Sequence, residues 1–547
     1  MTAGPSRRGL ARLLWRLADL VRAAEGRRSF RSKAYRSAVW ALDDLPSLSA
    51  DDEEILATRS IGPGVAGLIH EYRTTGELRQ LIPLEETYPA DSGRLRRLPR
   101  MRPATLRDLR NFGIETTGDL LGAIETGAVE TLRGVGPQTL DLWDRILRLP
   151  PGPGHVPSHE AWVTAATLAR HIAAHTGAWV DIAGQVRRME EWVERIDLVS
   201  VTDDVPRLTE FVSDTASLDH SEPDAGVLRG ATHSGLEVLI HPAPPEAAGT
   251  ALLWATGPER HAESITREPF PTEHEAYRSV DLPLIPAPAR HLPIESALGV
   301  VGVADLVGDL HLHSELSPDG RMSLLQILRA AGERGYSYVA ITDHTQGLRF
   351  GGLDEAGISA QAPLIAEARQ QFPEMTILHG AELNIGPDGS LDLDEETLDR
   401  LDFAVAGVHS HFGLDSETQT KRVVTALSHP SVRVLAHPWG RRIGIRPPLS
   451  LDMDEVVDAA IANGVALEVN GHRDRLDLSA EWIDYAAKRG AVFAANSDAH
   501  RVPEIDNIDN AVGTLQRAGI GPDRVVNAFA VTEFLHWVSR GAGDRRT

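Results

Sequence analysis

The sequence GDLHLH at residues 308–313 is the first of seven short apolar runs that alternate with helical stretches in the C-terminal part of this 547-residue chain. The other six occupy residues 339–344, 377–382, 403–409, 432–437, 465–470 and 492–500, and six of the seven carry a potential metal ligand at or just beyond their end. Parallel strands joined by helices, with functional groups at their carboxyl ends, are typical of TIM-like barrels. The sequence therefore predicts an α/β barrel of seven strands.

Nine potential metal ligands accompany these runs. They are His311, His313, Asp319, His344, Glu382, His409, His437, Asp498 and His500. The two histidines of His-x-His point to the same side of a strand because side chains alternate with a period of two, and the last two ligands share that spacing. The alternative is that these are core or surface side chains placed at strand ends by coincidence. Nine nitrogen and oxygen donors are too many for one ion and match two or three divalent ions.

This pattern resembles the polymerase and histidinol phosphatase (PHP) domain, a trinuclear metal phosphoesterase, from about residue 305 to 520. The resemblance implies that all nine side chains bind metal, that Glu382 bridges ions, and that Glu382, His344 and Asp498 are catalytic. Mn²⁺ is favoured, with Zn²⁺ or Mg²⁺ as alternatives, and the ions would lower the pKa of a water for attack on phosphorus. An inserted proline, Pro318, makes Asp319 the weakest match among the nine.

The front part of the chain divides at two Pro-rich linkers, residues 89–103 and 149–154. Apolar residues recur at helical spacing on both sides of the first linker. Each helical region contains a Gly-x-Gly turn, formed by Gly62 and Gly64 and by Gly134 and Gly136. Backbone N–H groups at such a helix start can hold a phosphate without reading sequence. The turns resemble helix-hairpin-helix DNA-binding motifs, and plain helix–helix turns are the alternative.

The net charge of −23 argues against a polyanionic partner, but the charge is unevenly distributed. Residues 1–40 contain ten basic and two acidic side chains, and nearly all positive charge in the chain is arginine, which suits bidentate phosphate contacts. Arg31, Lys33, Arg349 and Lys421 are therefore candidate DNA or phosphate ligands. Ordinary solvent-facing charges are the alternative.

Composition and patterning exclude several classes of protein. The hydrophobic fraction of 42% and charged fraction of 24% are those of a globular chain, and no run of 18 uncharged apolar residues could span a membrane. Zero cysteines exclude disulfides and thiol nucleophiles. Arginines interrupt the N-terminus, which lacks the apolar stretch of a signal peptide. We expect a cytoplasmic monomer with no membrane partner.

Almost the whole chain resembles bacterial family X DNA polymerases that carry a PHP domain. Residues 30–36 (FRSKAYR) resemble the opening helices of that family, residues 112–116 its second hairpin region, and residues 183–198 its palm motif. The resemblance implies a multidomain chain. Its parts are an all-α helix-hairpin-helix domain at 1–88, a second at 89–150, an α+β nucleotidyltransferase-like palm and thumb at 155–300, and a PHP barrel, (β/α)7, at 305–547.

The palm departs from the family where polymerase chemistry needs three carboxylates to hold two Mg²⁺ ions. Asp197 survives, whereas Arg195 and Leu239 stand at the other two positions. Glu237 is expected to point to the opposite strand face from Leu239, and so not to replace the missing ligand. The palm is therefore expected to fold without polymerising. The family's lyase lysine has no counterpart at residues 67–69, so lyase activity is not expected.

These features predict a metal-dependent phosphoesterase that acts on DNA 3′ ends. It would be a 3′–5′ exonuclease or end-processing enzyme in DNA repair, with gapped or nicked duplex as its partner. The alternatives are a small-molecule phosphatase of the histidinol-phosphate type, a non-catalytic DNA-binding scaffold, and residual DNA polymerase.

Overall fold

The computed structural model describes residues 5–26, 28–150, 154–224, 226–348 and 351–539. The described residues form two compact units. One comprises the chain up to Leu284 together with Gly444–Pro447, and the other comprises Ile285–Ile443 and the chain from Pro448 onward.

The first unit begins with helices that pack around their apolar stripes. They are α1 (Arg7–Glu25), α2 (Phe30–Ala41), α3 (Asp52–Ala57), α4 (Pro63–Thr75), α5 (Leu81–Thr87), α6 (Ser92–Leu95), α7 (Pro103–Asn111), α8 (Thr117–Glu125) and α9 (Pro137–Leu147). The hydroxyl of Ser6 caps α1 by accepting a hydrogen bond from the N–H of Gly9. Leu10, Leu14 and Leu17 recur at helical spacing, are fully buried, and anchor α1 in this core.

Each Gly-x-Gly turn leads directly into a helix. Gly62 caps α4 and Gly136 caps α9, and each is followed by a proline at the first helical position, where a missing N–H removes no helical hydrogen bond. Gly134 has a φ of 75°, a left-handed conformation that favours glycine. All four turn glycines are exposed, so the starts of both helices are accessible to a ligand.

A five-stranded sheet with flanking helices completes the first unit. Its elements are β1 (Val156–Pro157), α10 (Ser158–Thr176), β2 (Trp179–Ala183), α11 (Gly184–Arg187), β3 (Trp192–Val193), β4 (Arg195–Val201), α12 (Val205–Asp214), β5 (His220–Asp224), β6 (Val227–Ala231), β7 (Glu237–Ala243), α13 (Ala248–Thr256), α14 (Glu259–Ile265) and α15 (Glu273–Arg278), with a 3-10 turn at Pro245–Ala247. The strand order is β2-β4-β7-β6-β5, with β1 and β3 paired separately. Only β4 and β7 run parallel within the sheet; its other described pairs are antiparallel.

The second unit is built on seven parallel strands in sequential order. They are β8 (Gly308–Leu312), β9 (Tyr338–Ile341), β10 (Thr376–Asn384), β11 (Phe403–Gly407), β12 (Val432–Leu435), β13 (Ala466–Asn470) and β14 (Phe493–Asn496). A bridge between Leu312 and Ala499 brings the first and last strands together, and the N–H of His313 donates to the carbonyl of Ala499 over 3.0 Å. The barrel is therefore nearly closed.

Helices surround these strands. They are α16 (Ile294–Ala297), α17 (Leu324–Glu333), α18 (Glu355–Gln371), α19 (Glu395–Leu398), α20 (Ser416–Leu427), α21 (Met453–Asn463), α22 (Ala480–Lys488), α23 (Ile508–Arg517) and α24 (Val531–Ser539). Short 3-10 turns lie at Ala287–Ala289, Val303–Asp305, Val502–Asn507, Pro522–Arg524 and Val526–Ala528. The strands are buried on both faces, which is why they appear in the sequence as apolar runs.

The fold class predicted from the sequence is confirmed. All seven predicted apolar runs contain barrel strands, and helices precede an α+β sheet in the front part. Among the described residues, none of the helices combines the length and apolarity needed to cross a membrane.

Candidate metal centre

The nine predicted ligands converge at the carboxyl ends of the barrel strands. His311 and Glu382 lie within β8 and β10, and the others lie in the segments that follow β8, β9, β11, β12 and β14. The register of β8 against β9 shifts between Asp309 and Leu312, an irregularity of the kind that re-aims side chains at functional sites. Both His311 and His313 are buried, and they face the same carboxylate, Glu382, as expected for residues two apart.

Two imidazoles lie close to the same two carboxylate oxygens, at distances that suit ligands of one ion. The Nε2 atom of His311 lies 3.2 Å from Oε2 of Glu382 and 3.7 Å from Oδ1 of Asp498. The Nε2 atom of His313 lies 3.5 Å and 3.3 Å from the same two oxygens. Four ligands placed tetrahedrally at about 2.1 Å from an ion would be about 3.4 Å apart. The donor spacing therefore matches a first metal position.

The second oxygen of Glu382 belongs to a further group of donors. Its Oε1 atom lies 3.0 Å from Nε2 of His409 and 3.0 Å from Nε2 of His437. Because the two oxygens of this carboxylate face different imidazoles, Glu382 has the geometry of a bridging ligand. That arrangement is the one implied by the family resemblance.

Asp319 approaches a third group of donors in spite of the inserted proline. Its Oδ1 atom lies 3.4 Å from Nε2 of His500 and 3.8 Å from Nε2 of His344. A Cβ at Gly320 would come within 1.8 Å of the carbonyl oxygen of Ser314, so the turn after Asp319 requires glycine. The Asp319 side chain is 60% exposed, unlike the buried donors of the first group.

Several buried donor atoms in the described barrel have no hydrogen-bond partner. They are Nε2 of His311, His313 and His500, Nδ1 of His344 and His437, both ring nitrogens of His409, and Oε2 of Glu382. Buried polar atoms are nearly always satisfied, so a cluster of orphaned lone pairs calls for an unrepresented partner. Divalent cations match this donor set of imidazoles and carboxylates.

The electrostatics of the centre favour ionised carboxylates. Burial alone would raise the pKa of Glu382, but the charges of His344, His409 and His311 outweigh burial and hold that pKa well below its ordinary value. Burial and the charge of Arg475 lower the pKa of His437 to about 4, against the pull of Glu382. His437 is therefore neutral near pH 7 and free to donate a lone pair.

Two groups that the sequence analysis missed support the centre. Glu468, fully buried in β13, accepts a hydrogen bond from Nδ1 of His311 over 2.6 Å and another from the backbone N–H of His437 over 2.6 Å. Ser317 lies 3.1 Å from Nδ1 of His313 and accepts a hydrogen bond from the N–H of His344. Such partners fix the tautomer and orientation of ligating histidines.

Of the two predicted phosphate ligands in the C-terminal part, Lys421 alone lies among the described residues. Lys421 is exposed on α20, and Arg349 lies outside the described residues. Arg475 was missed, although its Nε atom lies 3.6 Å from Oδ2 of Asp498. The only sequence signal for Arg475 was its position in the loop after β13, which is a weak one.

The predicted DNA ligands in the front helices are on the surface. Lys33 is exposed on α2, and Arg31 is exposed but engaged with Glu25 and Gln80. Gly134 and Gly136 line a cleft together with two cations, Arg100 and Arg102.

In the sheet of the first unit, the carboxylate of Asp197 is already engaged by other side chains. Nε of Arg195 donates to Oδ2 of Asp197 over 3.0 Å, and Nε2 of His241 lies 3.2 Å from Oδ1. Asp197 is 1% exposed and pairs in register with Leu239 of the neighbouring strand. Both of its oxygens therefore face cationic or hydrogen-bonding groups of the protein.

The expectation that Glu237 faces away from Leu239 is wrong. The two residues are two apart on the regular strand β7 and pair with Arg195 and Asp197, so they share one face of the sheet. Glu237 is nevertheless committed elsewhere, because Arg229 donates to its carboxylate.

Comparison with known proteins agrees with this geometry. The family model described as PHP domain matches residues 309–436. The DNA polymerase/3′-5′ exonuclease PolX of Bacillus subtilis is 28% identical over 554 aligned residues, which cover 94% of this chain and 96% of that protein. A probable phosphatase of Syntrophotalea carbinolica is 29% identical over 235 residues, or 40% of this chain and 90% of that protein. The probable phosphatase YcdX of Escherichia coli K12 is 25% identical over 229 residues, 40% of this chain and 89% of that protein.

PHP domains bind divalent metals, and the described His and Glu clusters can hold such ions. These findings support a metal-dependent hydrolase of phosphate esters. The chain is PolX-like along almost its whole length and carries a PHP domain, which confirms the resemblance predicted from its motifs.

Proposed function

We propose that this chain hydrolyses phosphodiester bonds at DNA 3′ ends, as a 3′–5′ exonuclease or end-processing enzyme in DNA repair. The observation that carries the proposal is the convergence of nine nitrogen and oxygen donors at one barrel mouth. Similarity over 94% of the chain to a DNA polymerase/3′-5′ exonuclease supports DNA as the substrate.

The nine donors would hold two or three divalent ions, with Mn²⁺ favoured and Zn²⁺ or Mg²⁺ as alternatives. Ions bound there supply Lewis-acid activation of water and of the phosphoryl group. Glu382 presents one oxygen to each of two donor groups and so fixes their separation. Glu468 holds the Nδ1 proton of His311, which directs the lone pair of Nε2 toward Glu382 and Asp498.

We further propose that the palm does not polymerise. The guanidinium of Arg195 donates a hydrogen bond to the carboxylate of Asp197. Leu239, which pairs with Asp197 on the neighbouring strand, has no side-chain oxygen to bind a metal. A two-metal site needs several free carboxylates, and neither Arg195 nor Leu239 supplies one beside Asp197. The role left for the front part is DNA binding through the Gly-x-Gly turns of α4 and α9 and the basic first helices.

The test is a nuclease and polymerase assay with purified full-length protein on one gapped duplex with labelled 3′ ends. With Mn²⁺ we expect stepwise shortening from the 3′ end and no primer extension. His313→Ala removes a donor from the first group and should abolish shortening, whereas His536→Ala, remote in sequence on α24, should retain it. Equal nuclease activity in His313→Ala would refute the site.

A small-molecule phosphatase is the second candidate, because two probable phosphatases are similar to part of this chain. Each covers about two fifths of the chain, so this candidate gives the remaining residues no role. Faster turnover of a sugar or amino-alcohol phosphate than of 3′-recessed DNA would select this alternative.

A further inference from the structure

One arginine at the mouth of the barrel has a side-chain nitrogen that donates no hydrogen bond to any group of the described chain. Arg475 lies in the loop that follows β13, and its Nη1 atom is buried with no hydrogen-bond partner. The side chain as a whole is 19% exposed, so it borders solvent while its Nη1 group is shielded. A buried N–H group without an acceptor is costly, and such groups in native proteins point to an unrepresented partner.

The loop holds this side chain in place. The N–H of Arg475 donates to the carbonyl of His472 over 2.8 Å, and its own carbonyl accepts from Nε of Arg441 over 3.1 Å. Asp477 anchors the same loop by accepting the backbone N–H of Trp439 over 3.0 Å. The backbone that carries Arg475 is therefore held in place by contacts within and around the loop.

The neighbours of Arg475 are the candidate metal ligands. Its Nε atom is 3.6 Å from Asp498, and its charge acts on His437 and Glu382 as well. Oδ1 of Asp498 and both oxygens of Glu382 lie beside imidazoles of the metal centre, and Oδ2 of Asp498 accepts a hydrogen bond from Asn470. Because Nε of Arg475 lies beside Asp498, an anion bound at the metal centre would be close to this guanidinium.

The other cations near this loop are already engaged. Arg442 donates to Asp474 over 2.8 Å, and Arg441 donates to carbonyls of the loop itself. Arg475 differs from these two arginines because its Nη1 atom has no hydrogen-bond partner among the described residues.

We propose that Arg475 donates its Nη1 N–H to a non-bridging oxygen of the substrate phosphate and thereby selects anionic phosphate esters. This inference rests on the proposed function of the metal centre and adds Arg475 to the predicted phosphate ligand Lys421. A guanidinium is suited to the role because its planar donors match phosphate oxygens. The contact makes Arg475 a substrate-binding residue, in addition to any effect on Asp498.

The experiment uses Mn²⁺-loaded full-length protein and compares wild type with Arg475→Ala, Arg475→Lys and the matched control Arg442→Ala. Inorganic phosphate is the ligand probe, measured by calorimetry, and hydrolysis is followed on 3′-recessed DNA. Loss of one transition-state donor typically lowers kcat by about 10²–10³-fold, and we expect Arg475→Ala to fall in that range and to weaken phosphate binding at least about tenfold. Arg475→Lys should fall between Arg475→Ala and wild type. Arg442→Ala should change either quantity less than about threefold, because Asp474 keeps His472 as a partner.

Mn²⁺ affinity separates this role from a structural one. Unchanged Mn²⁺ affinity and unfolding temperature in Arg475→Lys, together with weaker phosphate binding, support the proposal, and added guanidine should restore part of the activity of Arg475→Ala. Unchanged phosphate affinity, loss of Mn²⁺ affinity alone, or no phosphate binding by wild type would overturn it. If phosphate binding depends on Arg475 but DNA is not hydrolysed, the exonuclease function is rejected and this inference is kept. If DNA is hydrolysed equally by wild type and Arg475→Ala, the exonuclease function is kept and this inference is rejected.

Discussion

Nδ1 of His311 lies 2.6 Å from Oε1 of Glu468, and both side chains are fully buried. A carboxylate only accepts hydrogen bonds, so the proton of this imidazole resides on Nδ1 and its lone pair on Nε2. The hydrogen bond to Glu468 therefore leaves Nε2 of His311 available as a metal ligand.

Glu468→Gln should weaken metal binding while the barrel remains folded. Removal of such an outer partner typically lowers metal affinity about 10–100-fold, because the histidine loses its fixed tautomer and orientation. Mn²⁺ titration by calorimetry measures the effect, with the exposed Glu481→Gln as control. Equal affinities in the two variants would show that Glu468 only fills the core.

Asp319→Ala should remove one ion and leave the others. Its carboxylate approaches His344 and His500, whereas the first donor group is built without it. Metal analysis after gel filtration should give a stoichiometry lower by one ion than wild type, and the exposed Asp388→Ala should match wild type. Loss of every ion from Asp319→Ala would contradict separate donor groups.

Asp43 should contribute strongly to the stability of the first unit. It accepts hydrogen bonds from the N–H of Ala216 over 2.6 Å and from Thr215, and it lies 2.8 Å from Nε2 of His171. Asp43→Ala leaves these donors unsatisfied and should cost about 2–4 kcal/mol in urea unfolding. Asp44, 55% exposed beside His175, provides the control, and Asp44→Ala should cost less than about 1 kcal/mol.

The same contacts set a pH dependence. Burial alone would raise the pKa of Asp43, but the hydrogen bonds from His171, Ala216 and Thr215 lower it below its ordinary value. A lowered folded-state pKa stabilises the fold above the unfolded pKa of about 4, and this stabilisation is lost as the pH falls through the folded value. Wild type should therefore lose more stability than Asp43→Ala between pH 5 and pH 3, on the order of 1 kcal/mol or more. Parallel curves for the two proteins would rule out this linkage.

The palm offers a gain-of-function test. Arg195→Asp combined with Leu239→Asp would place carboxylates on both sides of Asp197, and we expect Mg²⁺-dependent primer extension that wild type lacks. Arg195→Ala with Leu239→Ala frees Asp197 without adding a ligand and should remain inactive. Primer extension by the wild-type protein at a rate comparable to that of the double aspartate variant would show that the predicted palm is an active polymerase site.

The barrel and its nine candidate ligands could be predicted from sequence because they sit at the ends of apolar runs, where spacing alone places them together. Glu468 could not, since a carboxylate inside an apolar run carries no local sign of its partner. The orientation of Glu237 was predicted wrongly by a misapplied strand period, as residues two apart share a face. Arg475 and Asp43 depend on long-range contacts that no short motif encodes.

The unequal exposure of the donor groups also has a kinetic consequence. Asp319 faces water with 60% of its side chain, whereas Glu382 and Asp498 are almost fully enclosed. An ion beside Asp319 would exchange with the medium faster than one held between His311 and His313. The cellular supply of divalent cations would therefore set the occupancy of this outer position on shorter timescales than the occupancy of the inner positions.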